Sequence, residues 1–149
     1  MDTRYKQPIS VLVLIHTAAL DVLLLERARQ PGFWQSVTGS REDEEALLEV
    51  ARRETREETG IDLPASAFCD WRLSNRFEIF PQWRQRYAPG ITHNLEHVFS
   101  VEVAADYPIR IAADEHSAWQ WRSWREAAEL CFSWSNRDAI LMLPHRVAS

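Results

Sequence analysis

Four side chains between Arg53 and Glu58 have the types and spacing for metal-assisted hydrolysis. Glu54, Glu57 and Glu58 are carboxylates three and four residues apart. In a helix each residue advances about 100°, so the three share an arc of about 100° within one turn of rise. Leu47, Val50 and Ala51 fall on the same azimuth, N-terminal to them. That face begins as a core stripe and continues as three acids, unlike the solvated, salt-bridged face that is the commoner fate of an acidic helix. Like charges at these spacings destabilise a helix by a few tenths of a kcal/mol per pair, and by more when partly buried. Arg53 can reach Glu49 and Glu57 at i±4 and offsets part of that repulsion. A hard divalent cation, Mg²⁺ or Mn²⁺, would offset the rest, because such ions select carboxylate oxygens and water.

The charge of the chain is concentrated in the same segment. Between Glu42 and Glu58 stand eight acidic residues against Arg52, Arg53 and Arg56. The formal net charge of the whole protein is −5, so the rest of the chain is neutral overall. An acidic balance of this kind argues against a broad nucleic-acid surface, which needs basic excess. No apolar run reaches the length of a transmembrane helix, about 18 residues. The first residues, MDTRYKQPIS, lack the apolar core of a signal peptide, so the expectation is a cytoplasmic protein without a membrane partner. Cys69 and Cys131 show no motif spacing and read as reduced, buried thiols. At 149 residues the chain fits one domain, residues 1–149.

The elements that must position these residues can be outlined. Ile9–Ile15 (ISVLVLI) is a short apolar run rich in branched residues, the pattern of a strand covered on both faces. A turn over 16–21 leads to a second strand at Val22–Leu25, giving a hairpin. Pro31, Gly32 and Gly39 punctuate a loop that holds a short strand at Trp34–Thr38. The acidic helix is expected to start at Asp43 as N-cap and to stop at Gly60, over about 15 residues. Trp71–Phe80, Glu96–Val103 and Ala118–Trp121 read as strands. Two short helices follow at WREAAELC and NRDAILML, the second with Asn136 as N-cap. The expected class is α/β (α+β): a mixed β-sheet between helices, in a single domain.

His93–His97 spells H-x-x-E-H, an inverted zinc-protease signature. That chemistry needs a helix, so that both histidines meet one metal. Here the motif runs into HVFSVEV, which reads as strand, and residues four apart in a strand are about 13 Å apart. The zinc reading is set aside.

The helix and its flanks resemble the signature of the Nudix family, the Nudix box at residues 39–61. The matching positions are Gly39, Glu45, Arg53, Glu54, Glu57, Glu58, Gly60 and Ile61. The departures are Thr55 at an aliphatic place and Glu44 where a glycine is frequent. The likeness continues in KQPISVLVLI, FWQSVTGS, FEIF, RYAPG and SWSNR, over roughly Tyr5 to Ile140. It points to a branch of the family that cleaves a pterin triphosphate in bacterial folate biosynthesis.

This resemblance implies a Nudix-like fold and a pyrophosphohydrolase with a divalent metal, Mg²⁺ with Mn²⁺ as substitute. It implies that Glu54 and Glu58 ligate metal and that Glu57 is a ligand or handles the water. Arg53 would brace the carboxylates, and Glu115 would add an acid from outside the box. For substrate it implies Lys6, Arg27, Thr38, Phe77, Glu78, Ile79, Phe80 and Ser133. Surface cations or core aromatics are the ordinary alternatives for these positions. Trp34 could stack on a ring, although core packing is its commoner role. The expected partner is a small-molecule triphosphate, with no nucleic acid, and the chain a monomer or small homo-oligomer. The box alone leaves open a nucleoside triphosphate pyrophosphohydrolase and, in another class, a non-catalytic ligand-binding module.

Overall fold

The computed structural model describes residues 4–147. The elements in chain order are β1 (Ile9–His16), β2 (Asp21–Arg27), β3 (Trp34–Gln35), β4 (Val37–Ser40) and α1 (Leu47–Thr59). They continue as β5 (Phe68–Glu78), β6 (His93–Glu102), β7 (His116–Ser123), α2 (Trp124–Leu130) and α3 (Trp134–Arg146). Short 3-10 turns occupy Ala65–Ala67 and Pro81–Arg86.

The apolar run of β1 is the centre of the molecule. Val11 to Ile15 are buried without interruption. The strand pairs parallel with β6 along its whole length and antiparallel with β4. It meets β2 where His16 faces Val22, and β2 in turn carries β3 and β7. The sheet is therefore mixed. Alternate residues of β1 serve two cores. Val11, Val13 and Ile15 pack with Val50 and Ala51 of α1. Leu12 and Leu14 pack with Ala139, Ile140 and Leu143 of α3. Each such aliphatic side chain contributes roughly 1.5–3 kcal/mol by leaving water. The result is the expected α+β architecture, a mixed sheet with helices on both faces.

Two helix starts differ from the sequence reading. Helix α1 begins at Leu47, and Asp43 is not its cap but sits in a turn with φ +50°. The cause is Glu45, whose carboxylate accepts from the Glu42 N–H at 2.9 Å and from Arg53 at 2.8 Å. Those bonds hold the preceding residues in a turn. Helix α3 begins two residues before Asn136, with the Ser133 hydroxyl accepting from the Asn136 N–H at 3.4 Å. The Asn136 side chain instead binds Ser36, accepting from its N–H at 2.8 Å and donating to its Oγ at 3.0 Å. That fastens α3 to the β3–β4 junction.

Gly60 closes α1 in the left-handed region, φ +76°, as its place after the last helical turn requires. Cys69 is exposed and Cys131 half-buried, both free, which corrects the expectation that both are buried. Cys69 follows the buried Phe68 on β5, and alternation turns it outward. His93–His97 lies within β6, as strand. Trp34 packs against the core under α2 and α3. Among the described residues no helix is long and apolar enough to cross a membrane.

Candidate active site

Helix α1 delivers its three carboxylates to different surroundings. Glu58 is buried at 2% exposure and the Glu54 side chain keeps 15%, whereas that of Glu57 keeps 52%. Arg53 holds the group together. Its guanidinium lies 2.7 Å from Glu54, 3.4 Å from Glu57 and 2.8 Å from both oxygens of Glu45, and it donates to the Ser40 carbonyl at 3.2 Å. The hydrogen bonds to Glu45 stabilise the charged guanidinium further. Strand β4 passes against Glu54 at Gly39.

Glu58 is a buried and strongly perturbed acid. Burial pushes its pKa well above the carboxylate range, and the hydrogen bond and charge of Glu54 and the charge of Glu115 add to this. A backbone hydrogen bond from Thr38 acts the other way. Glu58 Oε1 lies 3.9 Å from His116 Nε2. Burial, then the charge of Arg27, lower the His116 pKa to about 4, so the imidazole is neutral. Both Glu58 Oε1 and His116 Nδ1 lack a hydrogen-bond partner. The exposed Glu115 completes the cluster, with ligand atoms of Glu58, Glu115 and His116 all within 4.8 Å of one another. Burial raises the Glu115 pKa too, and the charges of Glu54, Asp114 and Glu57 reinforce it.

Crowded carboxylates with an unpartnered buried oxygen are costly in an apolar setting. The same donor set suits a divalent cation, so the residues present fit one. Lys6, Arg27 and Arg86 border the same cleft as Glu54, Glu58 and Glu115, a space of about 940 Å³. Burial lowers the pKa of Lys6, and the charge of Arg86 adds to this. Arg27 donates to Gln30 at 2.7 Å and to Gln35 at 3.1 Å, and its guanidinium covers the Trp83 ring at 4.6 Å.

A second pocket, about 170 Å³, shares Lys6, Arg27, Thr38 and Arg86 with the cleft. Its walls include Phe77, Phe80, Trp83 and Phe132. Phe80 stacks on Trp83 at 5.1 Å, and Phe132 meets both edge-on at 6.0 and 6.1 Å. Pro81 ends the strand pattern beside Phe80 and starts the 3-10 turn that carries Trp83.

Of the residues singled out in the sequence, Lys6, Arg27, Thr38, Glu54, Glu58 and Glu115 line the cleft. Phe77, Glu78, Ile79, Phe80 and Ser133 line the second pocket. Glu78 also pairs with Arg84 at 3.3 Å. Arg53 and Glu57 line neither the cleft nor the second pocket. The sequence reading missed Gln35, Trp83, Arg86, Asn94, Glu96, His116 and Phe132. Only Asn94 and Glu96 had a usable signal, since a strand there puts both on one face with Val98.

A carboxylate-bearing helix and several cations bordering one cleft, on a mixed sheet between helices, fit a metal-dependent hydrolase of small phosphorylated molecules. The chain belongs to the Nudix family, whose NUDIX domain matches residues 6–143. Members of this family use divalent metal ions. Its relatives include the dihydroneopterin triphosphate diphosphatase of Escherichia coli K12, 44% identical over 93% of each chain. The protein of that name from Haemophilus influenzae is 42% identical, over 92% of this chain and 87% of that one. The solved structure of the E. coli dihydroneopterin triphosphate pyrophosphohydrolase superposes with TM-score 0.88 at 41% identity, covering 96% of this chain and 99% of that one.

Proposed function

We propose that this chain is a Mg²⁺-dependent pyrophosphohydrolase that converts dihydroneopterin triphosphate and water to dihydroneopterin monophosphate and pyrophosphate. The observation that carries the reading is continuity. The acid-and-cation cleft runs through Lys6, Arg27, Thr38 and Arg86 into an aromatic-walled pocket, so one ligand with a polyphosphate tail and a flat ring spans both. Relatives at 42% and 44% identity bear the name of that activity.

Glu54, Glu58 and Glu115 would hold the metal, whose bound chemistry is charge neutralisation at phosphate oxygens and a lowered pKa of water. Lys6 and Arg27 take up phosphate charge as fixed donors. Arg53 keeps Glu54 in place and orients Glu57. Glu57, with its half-exposed carboxylate one turn along from Arg53, is the candidate to orient the attacking water or take its proton. Water adds to phosphorus, the bond between the α- and β-phosphoryl groups breaks, and pyrophosphate leaves. No covalent enzyme intermediate is needed, since phosphoryl transfer rests on positioning and charge stabilisation.

The test is pyrophosphate release from dihydroneopterin triphosphate with and without Mg²⁺, set beside kcat/KM for the common deoxynucleoside triphosphates. Metal-dependent release with the pterin preferred supports the assignment. A higher kcat/KM for a nucleotide would move the substrate to that class, and Glu57→Gln with unchanged turnover would remove Glu57 from its role.

A further inference from the structure

The α3-facing side of the sheet changes character toward one end. On β1 and β6 it presents Leu14, Leu12 and Val98 to the apolar core. It then presents Ser10, Asn94 and Glu96, which are also buried. Ser10 lies opposite Glu96 in the parallel ladder, and Asn94 stands two residues before Glu96, so the three share one face. Buried polar groups in such a place ordinarily satisfy one another. These do so only in part. Asn94 donates its amide to Ser10 Oγ at 2.7 Å, but its Oδ1 has no partner. Glu96 Oε1 has none either. Both residues belong to the aromatic-walled pocket.

The pocket therefore pairs ring-stacking walls with a polar floor that holds two buried, unpartnered acceptors. Burial raises the Glu96 pKa to about 7, with a hydrogen bond to Ser135 opposing the shift, so the carboxylate is within reach at neutral pH. A carboxylate accepts two parallel N–H bonds from one planar group, as it does from arginine. The matching partner is a flat heterocycle with a ring N–H beside an exocyclic amine. An acyl chain, which has no donor, would leave the acceptors unpaired.

We propose that Glu96, assisted by Asn94, is a specificity residue that reads the 2-amino-4-oxo edge of the substrate ring, the edge that pterins share with guanine. The inference rests on the proposed function only in taking the pocket as the seat of the substrate ring.

The test separates the two. Trp83 and Trp134 line the pocket, so ligand entry is read by tryptophan quenching in wild type, Glu96→Ala and Glu96→Gln. The ligands are neopterin, which has no phosphate to hydrolyse, and its lumazine counterpart, the same molecule with oxygen in place of the 2-amino group. Wild type is expected to favour neopterin by about tenfold or more, the scale of a buried acceptor left unpaired. Glu96→Ala should lose that preference while holding lumazine as before, which also shows that the variant is folded. Glu96→Gln, with an amide donor toward the oxygen of lumazine, should shift the preference toward lumazine. In turnover of dihydroneopterin triphosphate, both variants should raise KM about tenfold with kcat little changed. An equal loss for both ligands, an unchanged ratio, or no quenching of wild type by neopterin overturns the inference. Ligand discrimination without turnover of the triphosphate would instead leave the inference standing and defeat the proposed substrate.

Discussion

Gly39 and Glu54 exclude each other's alternatives: a Cβ placed on Gly39 would fall inside the Glu54 carboxyl group. Gly39 is not among the glycines with positive φ, so contact alone demands it. From its other side Glu54 is held by Arg53 at 2.7 Å. Gly39→Ala must push Glu54 out of place. Because a displacement of about 1 Å can cost about 100-fold, kcat should fall by roughly that factor. Pyrophosphate release and circular dichroism together check this. A variant with native spectrum and full kcat would show that the position of Glu54 does not matter.

Arg53 should prove irreplaceable by lysine. It reaches Glu45, Glu54, Glu57 and the Ser40 carbonyl from one planar fork. Arg53→Ala leaves several acids without their donor, and hydrogen bonds to charged groups are worth about 1.5–3 kcal/mol each, so stability should drop by at least that order. Arg53→Lys keeps the charge and loses the fork. It should recover part of the stability in urea unfolding while activity stays low. Full activity in the lysine variant would mean that charge, not geometry, is what Arg53 supplies.

Glu58 should exchange stability for metal binding. Its carboxylate is penalised by burial and by Glu54. Glu58→Gln removes the charge, so the metal-free variant should melt higher than metal-free wild type at pH 8. A ligand bound only by the folded state raises Tm, so Mg²⁺ should raise that of wild type. The same addition should raise the variant much less. Equal metal-induced shifts, read by calorimetry, would remove Glu58 from the ligands.

What a single element decides was legible in the sequence, and what two elements decide together was not. The two-sided burial of Val11–Ile15 follows from one apolar run, and the burial of Val50, Ala51 and Glu58 from one helical period. Azimuth alone does not separate Glu57 from Glu58: the two share the arc, yet the Glu57 side chain is 52% exposed and Glu58 is buried. The start of α1 was misplaced because Glu45 answers to Arg53, eight residues on. His116 beside Glu58 and Asn136 on Ser36 arise only where distant segments meet. Glu96 stood in plain view within a zinc-like motif. The strand reading that dismissed the zinc left the face of Glu96 unassigned, although alternation puts it on one face with Val98, and only the packing of α3 showed what it faces.

The thiols should differ sharply in reactivity. Cys69 is exposed, whereas burial pushes the Cys131 thiol up to about 12. Reactivity follows the thiolate, so a disulfide reagent at pH 8 should modify one thiol promptly and the other only on unfolding. Cys69→Ser should abolish the prompt reaction. Two prompt equivalents would contradict the surroundings of Cys131.

Glu96 should make the protein less stable as pH rises. Its pKa is about 7 when folded, against 4.5 for an ordinary glutamate. Between those values the folded state holds a proton that the unfolded chain has released. Stability falls with pH wherever the native state binds more protons, so the loss accrues from about pH 4.5 to about 7 and then levels off. The full effect is on the order of 3 kcal/mol. Glu58 contributes in the same direction, so wild type alone does not isolate Glu96. Glu96→Gln does, because it cannot ionise and lacks only this part of the slope. In urea unfolding at pH 5 and pH 8, the variant should gain on wild type by up to about 3 kcal/mol between the two. Its substrate affinity should fall over the same comparison. Parallel stability profiles would mean that Glu96 titrates as an ordinary acid, and the carboxyl at the floor of the pocket would then be open to water.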